Sequence, residues 1–254
     1  MTLSRTLTHL AAAAIAAAAV LSASAASAFQ LLPMSIEFSP VGEQSTQTFA
    51  IVNNGTEAVA VQVFAVKRSV ALDGTEVLTP AENEFLVFPP QAVIAAGRVH
   101  MVQVRWLGSR APANELSYRL IAEQLPVNLD TTPTEGGRID ILMRYEGAMY
   151  VTPPGAKPNV AVESVAAVQT AEGPKLAVTL ANRGTAHGVL RDSVLTVSGR
   201  APDGRPVTAE LRNDTLGTLA GANILSGSSR QFLLAWPKVL AEVDLSAKLT
   251  TTYE

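Results

Sequence analysis

Apolar residues recur at every second position through most of this chain, and no segment between residues 29 and 153 sustains a helical period. Alternate side chains of a strand point to opposite faces, so this spacing builds sheets with one buried face. Thr46 to Asn53 (T-Q-T-F-A-I-V-N) alternates and runs into Asn53-Asn54-Gly55, a hairpin-type turn signal. Ala58 to Val70 reads as a long strand turned by Asp73-Gly74. Val99 to Trp106 alternates after Ala95-Ala96-Gly97, and Leu116 to Gln124 is closed by Pro126. About seven such strands in about 125 residues predict an immunoglobulin-like sandwich.

The stretch R-I-D-I-L-M-R-Y-E-G-A-M-Y-V-T-P-P-G at 138–155 says most about function. Ile139, Ile141, Met143 and Tyr145 form one apolar row, with Asp140, Leu142, Arg144 and Glu146 between them. A long loop rich in polar residues (Asn128, Asp130, Thr131, Thr132, Gly137) leads in, and Pro153-Pro154-Gly155 ends the strand. An ordinary edge strand carries charge or is cut short, whereas this one stays large and apolar up to the loop. Such a row serves either its own core or another chain.

Pro153 to Pro158 (P-P-G-A-K-P) reads as an interdomain elbow, stiff and short of backbone donors. Beyond it strands are expected at Val160–Val168, Lys175–Asn182, Gly188–Ser198, Val207–Leu211, Ser229–Trp236 and Asp244–Tyr253, with a hairpin at Asp203-Gly204. The reading is therefore all-β, with one sandwich at 29–153 and a second at 154–254.

Residues 1–28 read as a cleaved signal peptide. Arg5 supplies the positive start, Leu10 to Leu21 is apolar, and Ala26-Ser27-Ala28 is a small-x-small site before Phe29. That apolar run is shorter than the ~20 residues a bilayer span needs. The chain has no cysteine, which removes disulfides and thiol chemistry from an exported protein. A formal net charge of −3 without basic runs leaves no footprint for nucleic acid.

Nothing in the sequence points to catalysis, a metal or a cofactor. After residue 28 the only histidines are His100, in an alternating strand, and His187, in a turn; neither has a partner at metal-ligand or triad spacing. Phosphate-binding glycine motifs are absent, and Val197-Ser198-Gly199 lacks the glycine that a nucleophile elbow needs. Trp106 and Trp236 end strands and read as core or rim packing.

The order of several pieces resembles the periplasmic pilus- and fimbria-assembly chaperones, the PapD-like family. They are L-L-P-M-S-I-E-F at Leu31–Phe38, F-A-I-V-N-N-G at Phe49–Gly55 and F-L-V-F-P-P at Phe85–Pro90 followed by A-A-G-R-V-H-M-V-Q-V-R. E-L-S-Y-R-L-I-A-E-Q-L-P at Glu115–Pro126 and M-Y-V-T-P-P-G at Met149–Gly155 complete the set. The resemblance implies two immunoglobulin-like sandwiches joined at an angle, working in the periplasm without inserting into a membrane. It implies that the long last strand of the first domain is lent to a pilus or fimbrial subunit that lacks its own final strand, with Ile139, Ile141, Met143 and Tyr145 as the plugs. Delivery to an outer-membrane usher is implied too. An apolar row waiting for a partner also favours self-association of the free protein. The alternative is an exported two-domain β-sandwich adhesin or structural surface module, in which the row belongs to the domain's own core.

The chain departs from the family at the cations that hold the subunit's C-terminal carboxylate. Ser35 and Ala148 stand where an arginine and a lysine are expected. Arg144, Arg105 and Arg119 are the cations that could take over that anchor. Of the family's interdomain ionic contact, Glu115 matches the acidic position, while Thr152 replaces an arginine.

Overall fold

The computed structural model describes residues 29–126 and 141–253. Among them are the strands β1 (Phe29–Leu32), β2 (Ser35–Phe38), β3 (Thr46–Asn53), β4 (Val59–Val70), β5 (Glu76–Pro80), β6 (Phe85–Phe88), β7 (Gln91–Ile94), β8 (Val99–Trp106), β9 (Leu116–Gln124) and β10 (Arg144–Val151). A second set comprises β11 (Val160–Thr170), β12 (Gly173–Asn182), β13 (Gly188–Arg200), β14 (Pro206–Arg212), β15 (Asn223–Ile224), β16 (Ser229–Ala235) and β17 (Ser246–Tyr253).

The first ten strands build two facing sheets, β1-β3-β8-β6 and β2-β10-β9-β4-β5, with β7 also on β4. The remaining seven build β11-β12-β16 and β14-β13-β15, with β17 also on β13. Every ladder is antiparallel except β2 with β10, which run parallel from Ser35↔Ala148 to Phe38↔Val151. The chain crosses from the first sheet to the second at Pro33 and Met34, so β1 and β2 close the same side of the sandwich in different sheets.

Alternation explains which residues fill the space between the sheets. Phe49 and Ile51 of β3 and Val102, Val104 and Trp106 of β8 turn inward. Phe85 lies at the centre of an aromatic cluster, edge-on to Phe38 (5.4 Å), Trp106 (5.0 Å) and Tyr118 (4.9 Å). Edge-to-face packing suits the ring quadrupoles and adds about 0.5–1.5 kcal/mol per pair beyond area burial. The second core is mainly aliphatic, formed around Leu176, Val178, Leu180, Leu195 and Val197, with Phe232 as its one buried aromatic ring among the described residues. With no cysteine, these two cores carry the fold.

The Asn53-Asn54-Gly55 signal proves to be a crossing between sheets, not a hairpin: β3 pairs with β1 and β8, and β4 lies opposite. Asn53 is fully buried. Its amide donates to the carbonyls of Glu57 (2.8 Å) and Ile94 (2.9 Å), and its oxygen accepts from Gly55 (2.9 Å). Asn182 repeats the device in the second sandwich, donating to Ala186 (2.8 Å) and Ile224 (2.9 Å) and accepting from Gly184 (2.9 Å). In both cases a buried side-chain amide satisfies backbone groups that no ladder reaches. Asp73-Gly74 and Asp203-Gly204 do turn hairpins, β4–β5 and β13–β14.

The elbow is fastened to the second sandwich. The Lys157 carbonyl accepts from Thr185 (2.8 Å), and Gly184 packs so close that a Cβ there would stand 2.3 Å from that oxygen. Only glycine permits this approach.

Candidate functional site

The odd-numbered residues of β10 face the first core, and their burial fades toward the start of the strand. Val151 and Met149 are fully buried, and a side chain at Gly147 would press on Leu31. Tyr145 and Met143 are half-buried against the same core, with Tyr145 edge-on to Phe29 at 5.1 Å. Ile141, next along the row, is 73% exposed. Tyr145 thus still meets a fully buried ring of the core, Phe29, four residues from Ile141, where the row is exposed. Of the predicted row, Ile139 lies outside the described residues. The regular ladder begins at Arg144, later than the expected start near Arg138, and Ile141–Met143 precede it.

The backbone of this stretch is paired on one side. Gln124 N–H donates to the Met143 carbonyl (2.9 Å), so the odd residues bond toward β9. Ala148 N–H donates to the Met34 carbonyl (2.8 Å), so the even residues point the other way. The parallel ladder with β2 reaches back only to Ala148. Among the described residues, no strand pairs with that side of β10 at Arg144 and Glu146. An apolar row and an open edge therefore coincide on one piece of chain.

Toward the end of β10 the even residues face the second sandwich. Ala148 and Tyr150 are buried with Leu225 and Val70. The Tyr150 hydroxyl accepts from Asn223 Nδ2 (2.8 Å) and Arg68 Nη1 (3.4 Å). Arg68 and Arg119 converge on one carboxylate, Glu76, at 2.5 and 2.6 Å. Burial alone would raise the Glu76 carboxyl, but hydrogen bonds from Arg119 and Arg68, and their charges, hold it below the usual range. Two guanidiniums sharing one carboxylate leave this face with a positive charge to spare. Arg68 is only 8% exposed, and among the described residues its Nε has no hydrogen-bond partner; nor has Asn223 Oδ1.

The three arginines expected as anchors are separated. Arg119 is in the cleft, committed to Glu76. Arg144 is on the open edge, paired with Glu123 (3.0 Å) and Glu146 (2.9 Å), because cross-strand and same-face neighbours on β9 and β10 are acidic. Arg105 is on β8 in the other sheet, pointing outward. Glu115 and Thr152 meet at the domain junction: Thr152 Oγ1 donates to Glu115 Oε2 (3.0 Å). His187 of the second sandwich completes the contact, its backbone N–H and Nδ1 lying 3.0 and 2.7 Å from Glu115 Oε1. Sequence reasoning treated His187 as a plain turn histidine and passed over Arg68, Tyr150 and Asn223. For Arg68 and Tyr150 the only signal was that alternation places them on the outer face of β4 and β10; Asn223, on the two-residue β15, and His187, in the turn before β13, carried none.

Among the described residues no group of His, Asp or Glu is placed to hold a metal ion, and no helix is long and apolar enough to cross a membrane.

A model of the pili and flagellar-assembly chaperone family, PapD N-terminal domain, matches residues 34–157. The first sandwich belongs to the PapD-like family. Solved structures agree in fold. CsuC, in its pre-assembly complex with CsuE from the archaic chaperone-usher Csu pili of Acinetobacter baumannii, gives a TM-score of 0.56 at 18% identity, over 88% of this chain and 97% of that one. The class 5 fimbriae chaperone CfaA gives 0.54 at 14% identity, over 89% and 93%. The SafA pilin–SafB chaperone complex of Salmonella enterica gives 0.50 at 15% identity, over 91% and 93%. At these identities the likeness is one of fold. No curated protein is significantly similar in sequence. In this chain the PapD-like first sandwich supplies the open edge, and both sandwiches line the cleft beside it.

Proposed function

We propose that this chain is a periplasmic chaperone that lends residues 139–145 to incomplete pilus or fimbrial subunits and carries them to an outer-membrane usher. One observation carries the reading: the apolar row leaves its own core where the β10 backbone edge is unpaired. A subunit lacking a strand exposes a groove and two edges, and an added strand supplies backbone hydrogen bonds while alternate side chains fill the groove. Ile139, Ile141, Met143 and Tyr145 would be those side chains. Each one fully buried contributes about 1.5–3 kcal/mol by area, before the cost of association. CsuC and SafB, alike in fold, are described with a tip subunit and a pilin, which supports a secreted fibre subunit as the partner.

The client's C-terminal carboxylate would sit in the cleft on Arg119 and Arg68, in place of the pair that Ser35 and Ala148 do not supply. A carboxylate there meets the charge Glu76 leaves unbalanced, and charge-assisted hydrogen bonds to guanidinium are strong and directional.

The test is capture of subunits from periplasm by tagged wild type and Ile141→Asp, with thermal melting of both. Small secreted subunits retained by the wild type alone, with both proteins folded, is the expected result. Equal capture by a folded Ile141→Asp sinks strand donation. An unfolded Ile141→Asp returns the row to an ordinary core, as in a structural surface module.

A further inference from the structure

A second site lies at the linker end of the first sandwich, on the sheet that does not carry the open edge. The segment after β2 and the loop after β8 enclose a cleft of about 380 Å³, with Val41, Gly42, Ser45 and Trp106 in its walls and Arg105 and Arg110 on its rim. Its walls are held in place. Trp106 Nε1 donates to the Ser109 carbonyl (2.9 Å), folding the loop back on its own ring. Gly108 sits so close beneath that a Cβ would stand 2.3 Å from the indole, which no side chain allows. On the opposite wall Ser45 Oγ donates to the Gly42 carbonyl (2.7 Å).

Arg105 and Arg110 have no ion pair or hydrogen bond from their guanidiniums among the described residues. Arg68, Arg119, Arg144, Arg200 and Arg212 all meet carboxylates. Two uncompensated cations on one rigid cleft form a site for negative charge. The neighbouring surface says what kind. Arg105 pairs with Leu86 across the β6–β8 ladder, and Gln103 with Phe88, which is 65% exposed. Met101 and Val99 continue the same outward face of β8, also exposed. A small anion would use the arginines and ignore this apolar strip. A protein segment with carboxylates at one end and apolar side chains along the rest matches both.

We propose that the Arg105–Arg110 cleft and the adjoining face of β6 and β8 form a second docking site, for an acidic, partly apolar protein segment. The site lies on the opposite sheet from β10, so it can be filled while that edge holds its own partner. It stands independently of strand donation.

Trp106 lines the cleft and reports its occupancy. With Trp236→Phe, Trp106 is the only tryptophan. This variant is titrated with a capped peptide of alternating leucine and aspartate, beside its leucine–asparagine counterpart. The unmodified mature protein is titrated by calorimetry in parallel, so that the answer does not hang on Trp236. The expected result is saturable binding that shifts Trp106 emission and weakens with salt. The asparagine peptide should bind about tenfold more weakly or worse, and the Arg105→Ala, Arg110→Ala double variant should lose binding with its melting unchanged. Equal binding of the two peptides, or equal binding by the double variant, overturns the proposal. Acetate or phosphate acting on Trp106 as effectively as the peptide would make it an adventitious ion only, which overturns it too.

Discussion

The rings of Tyr150 and His187 lie face to face across the domain junction, centroids 3.9 Å apart and planes 9° from parallel. Tyr150 comes from the strand with the open edge, and His187 from the second sandwich. His187 also holds Glu115, which lies within the first sandwich and accepts from Thr152. One histidine thus ties the second domain to the end of β9 and to the outer face of β10. His187→Ala removes the stack and one partner of a buried carboxylate, a loss of about 1–3 kcal/mol. The expected outcome is uncoupling: a calorimetric transition that splits or broadens while each sandwich keeps its own ladder. An unchanged single transition would leave the stack without a role in domain coupling.

Ile141, just ahead of β10, and Met149 within it belong to the same alternating row, eight residues apart, in opposite environments. Ile141 is exposed, so Ile141→Asp should alter stability by no more than about 0.5 kcal/mol. Met149 is fully buried, and Met149→Ala should cost about 2–5 kcal/mol. Denaturant midpoints of the two variants measure both. A loss above about 2 kcal/mol for Ile141→Asp would mean that the row is core up to that point.

The strands that read cleanly from sequence are those long enough to show a period. Thr46–Asn53, Val99–Trp106 and Leu116–Gln124 are found at the bounds expected. β1, β2, β6 and β7 have four residues each, too few for alternation to stand out from loop sequence. Asn53 was legible as a turn residue, but its bond to Ile94 spans 41 positions, and local pattern carries no trace of that. The cleft was hidden for the same reason. Arg68 reaches Tyr150 across 82 residues within the first sandwich, and His187 reaches Glu115 across 72 at the domain junction; no periodicity encodes either contact.

Glu76 makes stability depend on acid. Its carboxyl is held below the usual carboxylate value of about 4.3, so the folded protein keeps it ionised where the unfolded chain takes up a proton. Its contribution is complete above that usual value and is lost as pH falls through the depressed one. Glu76→Gln should cost about 2–3 kcal/mol at neutral pH, because Arg68 and Arg119 keep their charge without a counter-ion. It should also flatten the acid limb of a plot of denaturant midpoint against pH. Parallel acid limbs for variant and wild type would remove Glu76 as their source.

Tyr118 should act at the other end of the pH scale. Its side chain is fully buried beside Phe85 and Trp106, and its hydroxyl donates to Glu84 Oε2 at 2.5 Å. Burial, then the Glu84 hydrogen bond and charge, push the phenol well above its ordinary value of about 10. The folded protein therefore keeps a proton that the unfolded chain releases. The stability linked to it is complete below pH ~10 and falls as pH rises above that value. Tyr118→Phe removes the titrating group together with one hydrogen bond, a loss of about 1 kcal/mol at neutral pH. Its denaturant midpoint should decline less steeply than the wild type's between pH ~9 and ~11. Equal slopes would mean that the alkaline loss arises elsewhere.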